Sequence, residues 1–190
     1  MKQLNHDRLN LKYYSYIRFA SIVGISLLSI IYSTELKLNK KPPVVVFDGT
    51  NGGRIDSTSW SSKEISGTTF TLVYLDPDKR GLNEDAVERL RQENFPKEKL
   101  KSIIIVNMAA SWVPIPILKL FYGLTIKIHP LSLFVFDMDK ILMKEWGLVD
   151  EEYNFLVLSK TGELKYISSG MMSEEEVDKL ITVLWNEINL

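Results

Sequence analysis

The stretch TLVYLDPDKRG, Thr71 to Gly81, orders the reading of the chain. An alternating run of β-branched and aromatic residues ends at Leu75, a tight turn on Pro77 follows, and a helix begins beyond it. Proteins that exchange disulfides often mount a Cys-x-x-Cys pair at such a corner. Here the corner holds Asp76, Pro77, Asp78 and Lys79, and the chain contains no cysteine. Thiol redox chemistry, disulfides and thiolate metal sites all need a sulfur, so all are excluded.

Outward from this corner, VVVFDGTNGGRI (44–55) reads as two short strands around a Gly-Asn turn, and TTFTLVYL (68–75) as a strand. Asn83 to Asn94 spaces Ala86, Val87 and Leu90 as a thin helical stripe in a charged segment. SIIIVN (102–107) and LFVFD (133–137) are continuous apolar runs, as in strands buried on both faces. DKILMKEWGL (139–148) predicts a short helix stopping at Gly147, and FLVLSKTGELKYIS (155–168) a hairpin with Lys160-Thr161-Gly162 at its tip. Ser173 and Glu176 form a capping box. Val177, Leu180, Ile181, Leu184, Trp185 and Ile188 follow as a helical stripe. Strand, helix and strand imply a right-handed parallel crossover, and the terminal hairpin adds antiparallel strands. The sum is an α/β, thioredoxin-like sandwich: a central mixed sheet flanked by helices, with an N-terminal hairpin in front.

The net charge of −1 argues against a nucleic-acid partner. It hides an asymmetry, because Lys2, Arg8, Lys12 and Arg18 against Asp7 make residues 1–18 positive. Phe19 to Tyr32 then carries no charge, a run of 14 residues that suits a signal-peptide core. Extended back to Tyr13 it reaches about twenty residues, a membrane span if Arg18 snorkels. A cleaved signal and an uncleaved hydrophobic helix (13–33) both stay open. Either leaves the positive end in the cytoplasm and exports the rest to the periplasmic side of a bacterial inner membrane. Residues 1–33 are thus read as signal or anchor, 34–43 as a charged, proline-terminated linker, and 44–190 as the folded domain.

Several stretches together resemble the YtfJ family of exported thioredoxin-fold proteins. They are PPVVVFDGTNGG (42–53), TSWSSKEISG (58–67), IIIVNM with the segment after it, SLFVFDMDKILMKEWGLVDEEY (132–153) and VLSKTGELKYISSGMMSEEEV (157–177). The likeness covers about 150 of the 190 residues in unbroken order. It implies an exported thioredoxin fold without the Cys pair, with no established reaction, cofactor or catalytic residue to carry over. The position where thioredoxins place a cis-proline falls near Tyr153-Asn154.

Two candidate regions remain. Asp76-Pro77-Asp78 reads as a turn whose carboxylates cap nearby N–H groups, with a cation or small-ligand site as the alternative. The segment 111–132 is apolar on more than one face, with only Lys119 and Lys127 charged and with prolines at 114 and 116 that bar a helix before about Ile117. One face is core. An exposed surplus would mark a docking surface for a protein partner or a membrane. Trp112, Ile115, Ile117, Phe121 and Tyr122 are its candidate contacts, and Tyr153 and Asn154 are candidates at the degenerate groove. Trp60, Trp146 and Trp185 read as core. His129 is the one histidine of the exported part, which disfavours a histidine metal site. The functional expectation is a non-catalytic interaction protein, an accessory subunit of an envelope or membrane complex.

Overall fold

The computed structural model describes residues 36–128 and 131–190. The expected N-terminal hydrophobic helix and His129 lie outside the described residues. The elements are β1 (Val46–Phe47), β2 (Gly52–Arg54), β3 (Trp60–Ser61), β4 (Thr69–Leu75), α1 (Glu84–Gln92), β5 (Leu100–Asn107), α2 (Ile115–Ile128), β6 (Ser132–Asp137), α3 (Ile141–Trp146), β7 (Tyr153–Leu158), β8 (Leu164–Ser169) and α4 (Glu174–Ile188). Six strands form one sheet in the order β2-β6-β5-β4-β7-β8. β4, β5 and β6 run parallel, while β2, β7 and β8 pair antiparallel to their neighbours.

The local signals explain the ends of these elements. Gly147 closes α3 at φ 63, a conformation glycine adopts without strain. Ser173 accepts a hydrogen bond from the Glu176 N–H and Glu176 reaches back to the Ser173 N–H, so the capping box starts α4. That same bond holds the Glu176 carboxyl below the usual glutamate range.

The sheet has two differently built faces. On one, Phe70, Leu72, Tyr74, Ile103, Ile105 and Leu156 pack against Phe47, Trp60, Leu142 and Trp146 in a single cluster. On the other, two clusters form. α4 and α1 press Val177, Leu180, Leu184 and Ala86 onto Val73, Leu75, Phe155 and Val157. α2 presses Leu118 and Tyr122 onto Val106, Phe134 and Phe136. Ile104, in the middle of the sheet, borders both clusters and is only partly buried.

Two expectations need correction, and the linker segment gains contacts. Residues 44–55 do not form a hairpin: β1 pairs with β3 in a separate two-stranded sheet, and β2 joins the edge of the main sheet beside β6. A Cβ at Gly52 would lie 2.0 Å from the Phe136 carbonyl oxygen, so this close approach of β2 to β6 demands glycine. The described part of the segment read as a linker is hydrogen-bonded to the domain. The Asn39 N–H donates to Leu164 O (2.7 Å), the Leu164 N–H donates to Lys40 O (2.9 Å), and the Trp146 Nε1–H donates to Pro43 O (2.9 Å). Finally, α2 starts at Ile115 rather than near Ile117. Pro116 sits in the first turn, where an N–H has no intrahelical acceptor and proline forfeits nothing. Pro114 O accepts from Ile117 N (2.9 Å) and Leu118 N (3.2 Å).

Candidate functional site

The parallel strands deliver Asp76, Asn107 and Asp137 to their carboxyl ends, the edge where α/β sheets present their ligand sites. The Asp76 corner is a single 3-10 turn, Pro77–Lys79. Asp76 Oδ1 accepts from the Asp78 N–H (2.9 Å), Pro77 is the first turn residue, and Lys79 N donates to Asp76 O (2.9 Å). The cap-and-proline reading of this corner therefore describes its geometry. Among the described residues no three His, Cys, Asp or Glu side chains converge as a metal site would require. The helix proper begins farther on, at Glu84. Asn83 ties its start to the far side of the sheet: its Nδ2 donates to Gly170 O (2.9 Å) and its Oδ1 accepts from Met172 N (2.9 Å).

Asp76 is buried, and burial is the leading cause that raises its pKa, with Asp78 and Glu151 adding like charge. Its proton is held more tightly in the fold than in the unfolded chain. It therefore lends stability below the usual carboxylate range and withdraws it as pH rises through that range to its raised folded value. Asp76→Asn keeps the acceptor for Asp78 N and removes the charge. Its urea midpoint is expected above that of the parent at about pH 7 and equal to it at about pH 3. Equal midpoints at both pH values would show that burial of this charge costs nothing.

At the degenerate groove the structure removes Asn154 from any contact surface. It is fully buried, and its amide is spent on the fold: Val149 N donates to Oδ1 (3.1 Å), Ser169 Oγ donates to Oδ1 (2.7 Å), and Nδ2 donates to Val149 O (2.9 Å). Tyr153 is buried against the sheet, which pushes its phenol up to about 12. Tyr122 is likewise core rather than surface. It packs edge-on to Phe121 and Phe136, with ring centroids 5.3 and 6.0 Å away, and burial pushes its phenol up to about 12.

The other candidates of the segment 111–132 are exposed. Only one i, i+4 pair among the helix's described side chains, Leu118 and Tyr122, is fully buried. Trp112 is 85% exposed, Leu120 69% and Ile117 57%, and Ile115, Phe121 and Leu124 are exposed with them. A helix apolar on every side is ordinarily covered on every side. Sequence reasoning did not single out Leu120 and Leu124, because apolar spacing alone does not say which side of α2 the sheet covers. Arg80 was also missed: its guanidinium lies 5.0 Å over the Phe121 ring, and its Nη1 donates to Pro77 O (3.1 Å), linking the corner to α2. A groove of about 770 Å³ lies between α1 and α2, floored by Val73, Ser102, Ile104 and Phe134.

Residues 40–187 match the family described as a bacterial protein of unknown function (YtfJ_HI0045). The chain belongs to the YtfJ family. It is 23% identical over 132 residues to the uncharacterized protein YtfJ of Escherichia coli K12, covering 66% of this chain and 70% of that one. Identity to a Haemophilus influenzae relative is 22% over 135 residues, with the same coverage. Among solved structures it is similar to BsSco, a member of the Sco family of cytochrome c oxidase assembly proteins, with TM-score 0.55 and 13% identity over 82% of this chain and 98% of that one. It is also similar to the thioredoxin domain of a thiol-disulfide oxidoreductase from Bacteroides vulgatus, with TM-score 0.55 and 9% identity over 79% and 99%. These likenesses establish the thioredoxin-like fold of this YtfJ-family member. Thiol-disulfide exchange needs cysteine, and this chain has none.

Proposed function

We propose that this YtfJ-family protein is a non-catalytic interaction protein, exported across the inner membrane, that docks a protein partner through the outer face of α2. The observation that carries this reading is the exposed apolar set Ile117, Leu120 and Leu124 on α2, with exposed Trp112 just before the helix, beside a corner without thiols. Export is supported by the positive, then uncharged, run of residues 1–32. An accessory role in an envelope or membrane complex fits both features, since a thioredoxin fold without its nucleophile still offers a rigid surface.

The test uses the full-length chain recovered from membranes in mild detergent, with a double substitution Ile117→Glu and Leu120→Glu. Both residues are exposed, so folding stability is expected to change by no more than about 0.5 kcal/mol. A stoichiometric protein recovered with the parent is expected to fall about tenfold or more with the variant. Equal recovery with both chains, or a parent that brings no stoichiometric protein, would sink the reading.

A second reading, a small ligand at Asp76–Lys79, has one observation in its favour: a buried carboxyl at the carboxyl end of β4 whose proton burial holds more tightly. Ligand heat in a calorimetric titration that vanishes with Asp76→Asn and Asp78→Asn would support it, and persistent heat in that variant would remove it.

A further inference from the structure

The groove between α1 and α2 lies over parallel strands, a face that α/β proteins cover with helices. Here the cover is incomplete. α1 fully buries only Ala86, α2 reaches the sheet through Leu118 and Tyr122, and Ser102 and Ile104 of β5 stay half-exposed between them. We propose that this groove receives an α-helix of the docking partner, apolar on the face that meets Ile104 and carrying lysine or arginine along the flank turned to α1. The proposal rests on the docking reading above and gives the partner its form.

Two observations select a helix of that charge. First, β5 is paired on both sides, to β4 and to β6, so the groove floor has no free strand edge for an extended peptide. A helix satisfies its own backbone and needs only an apolar floor. Second, the two walls differ in charge. α1 presents Glu84, Asp85 and Glu88 against Arg91, a net acidic wall. The α2 side contributes Phe121, Tyr122 and Thr125 and no acid along the helix, and there the Arg80 guanidinium lies over the Phe121 ring, so the cation of that side faces an acidic α1. A basic flank therefore complements the α1 side, while apolar residues continue onto Phe121 and the exposed α2 row.

The experiment places a benzophenone-bearing phenylalanine at Val87 or Thr125, on the groove walls, and at Leu120, on the outer face of α2. The full chain is irradiated in its native cells, and crosslinked residues are mapped by mass spectrometry. Both groove positions are expected to capture one partner segment at apolar residues spaced three and four apart. Glu84→Lys with Glu88→Lys, both exposed, is expected to cut those crosslinks about tenfold, while Glu174→Lys with Glu175→Lys on α4 leaves them unchanged. Crosslinks at Leu120 alone would overturn the groove helix and leave the docking reading standing. No crosslink at any position would overturn both. Capture of lipid, a small molecule or a segment without helical spacing would overturn the helix.

Discussion

Asp137→Ala is expected to lower folding stability by about 3–5 kcal/mol. Asp137 ends β6 with no exposed surface. Its Oδ1 accepts from Asp139 N (3.1 Å) and Ile141 N (2.9 Å), and its Oδ2 from Leu142 N (2.9 Å) and Tyr74 Oη (3.2 Å). One side chain thus satisfies the opening N–H groups of α3 and a phenol in the middle of the core. Alanine strands four donors at once, two of them, Leu142 N and Tyr74 Oη, in buried bonds, and stranded buried donors cost more than the net worth of the bonds they made. Burial, with Asp137 beside it, raises the Tyr74 phenol above the ordinary tyrosine range. Urea unfolding at neutral pH measures the loss. Asp137→Asn keeps one acceptor oxygen and is expected to fall between parent and alanine. An alanine variant within about 1 kcal/mol of the parent would show that water replaces the carboxylate.

The second large effect is at Trp146. Trp146→Ala is expected to cost about 3–5 kcal/mol, because the indole is 1% exposed in the main cluster and its removal leaves a large cavity. The same ring holds residues 36–43 through Pro43 O, so the loss has a local signature. Hydrogen exchange at the Asn39 amide, bonded to Leu164 O, is expected to speed up more than exchange in β4 or β5. Trp146→Phe retains most of the packing and loses the bond to Pro43, for a smaller cost of about 1–2 kcal/mol. An alanine variant with an unchanged midpoint and unchanged Asn39 exchange would mean that neither the core nor the strap depends on this ring.

The two residues differ in how they could be read beforehand. Trp146 belongs to a short helical pattern ended by Gly147, and its place in the core follows from that pattern. Asp137 carries no such signal. Its role depends on Tyr74, 63 positions away in the chain, and on the start of α3 turning back beneath β6. Asn154 misled for the same reason. Its position marks the degenerate groove, but its amide is consumed by Val149 and Ser169, contacts that no spacing announces. Pro116 misled in the opposite sense, since proline is an obstacle inside a helix and harmless in its first turn.

The elements of this chain were determined locally. Alternation, apolar runs, the Ser173 capping box, the Gly147 stop and the Pro77 turn act within a few residues of themselves, so order and type are readable without neighbours. The absence of cysteine is equally local, and no packing can restore thiol chemistry. The tertiary structure alone decided where the short strands at 46–47 and 52–54 go, because strand partners are distant in sequence. It also divided the segment 111–132 into buried Leu118 and Tyr122 and exposed Trp112, Ile117 and Leu120. An apolar side chain is the same object on either side of a helix, and only the sheet beneath α2 distinguishes core from surface.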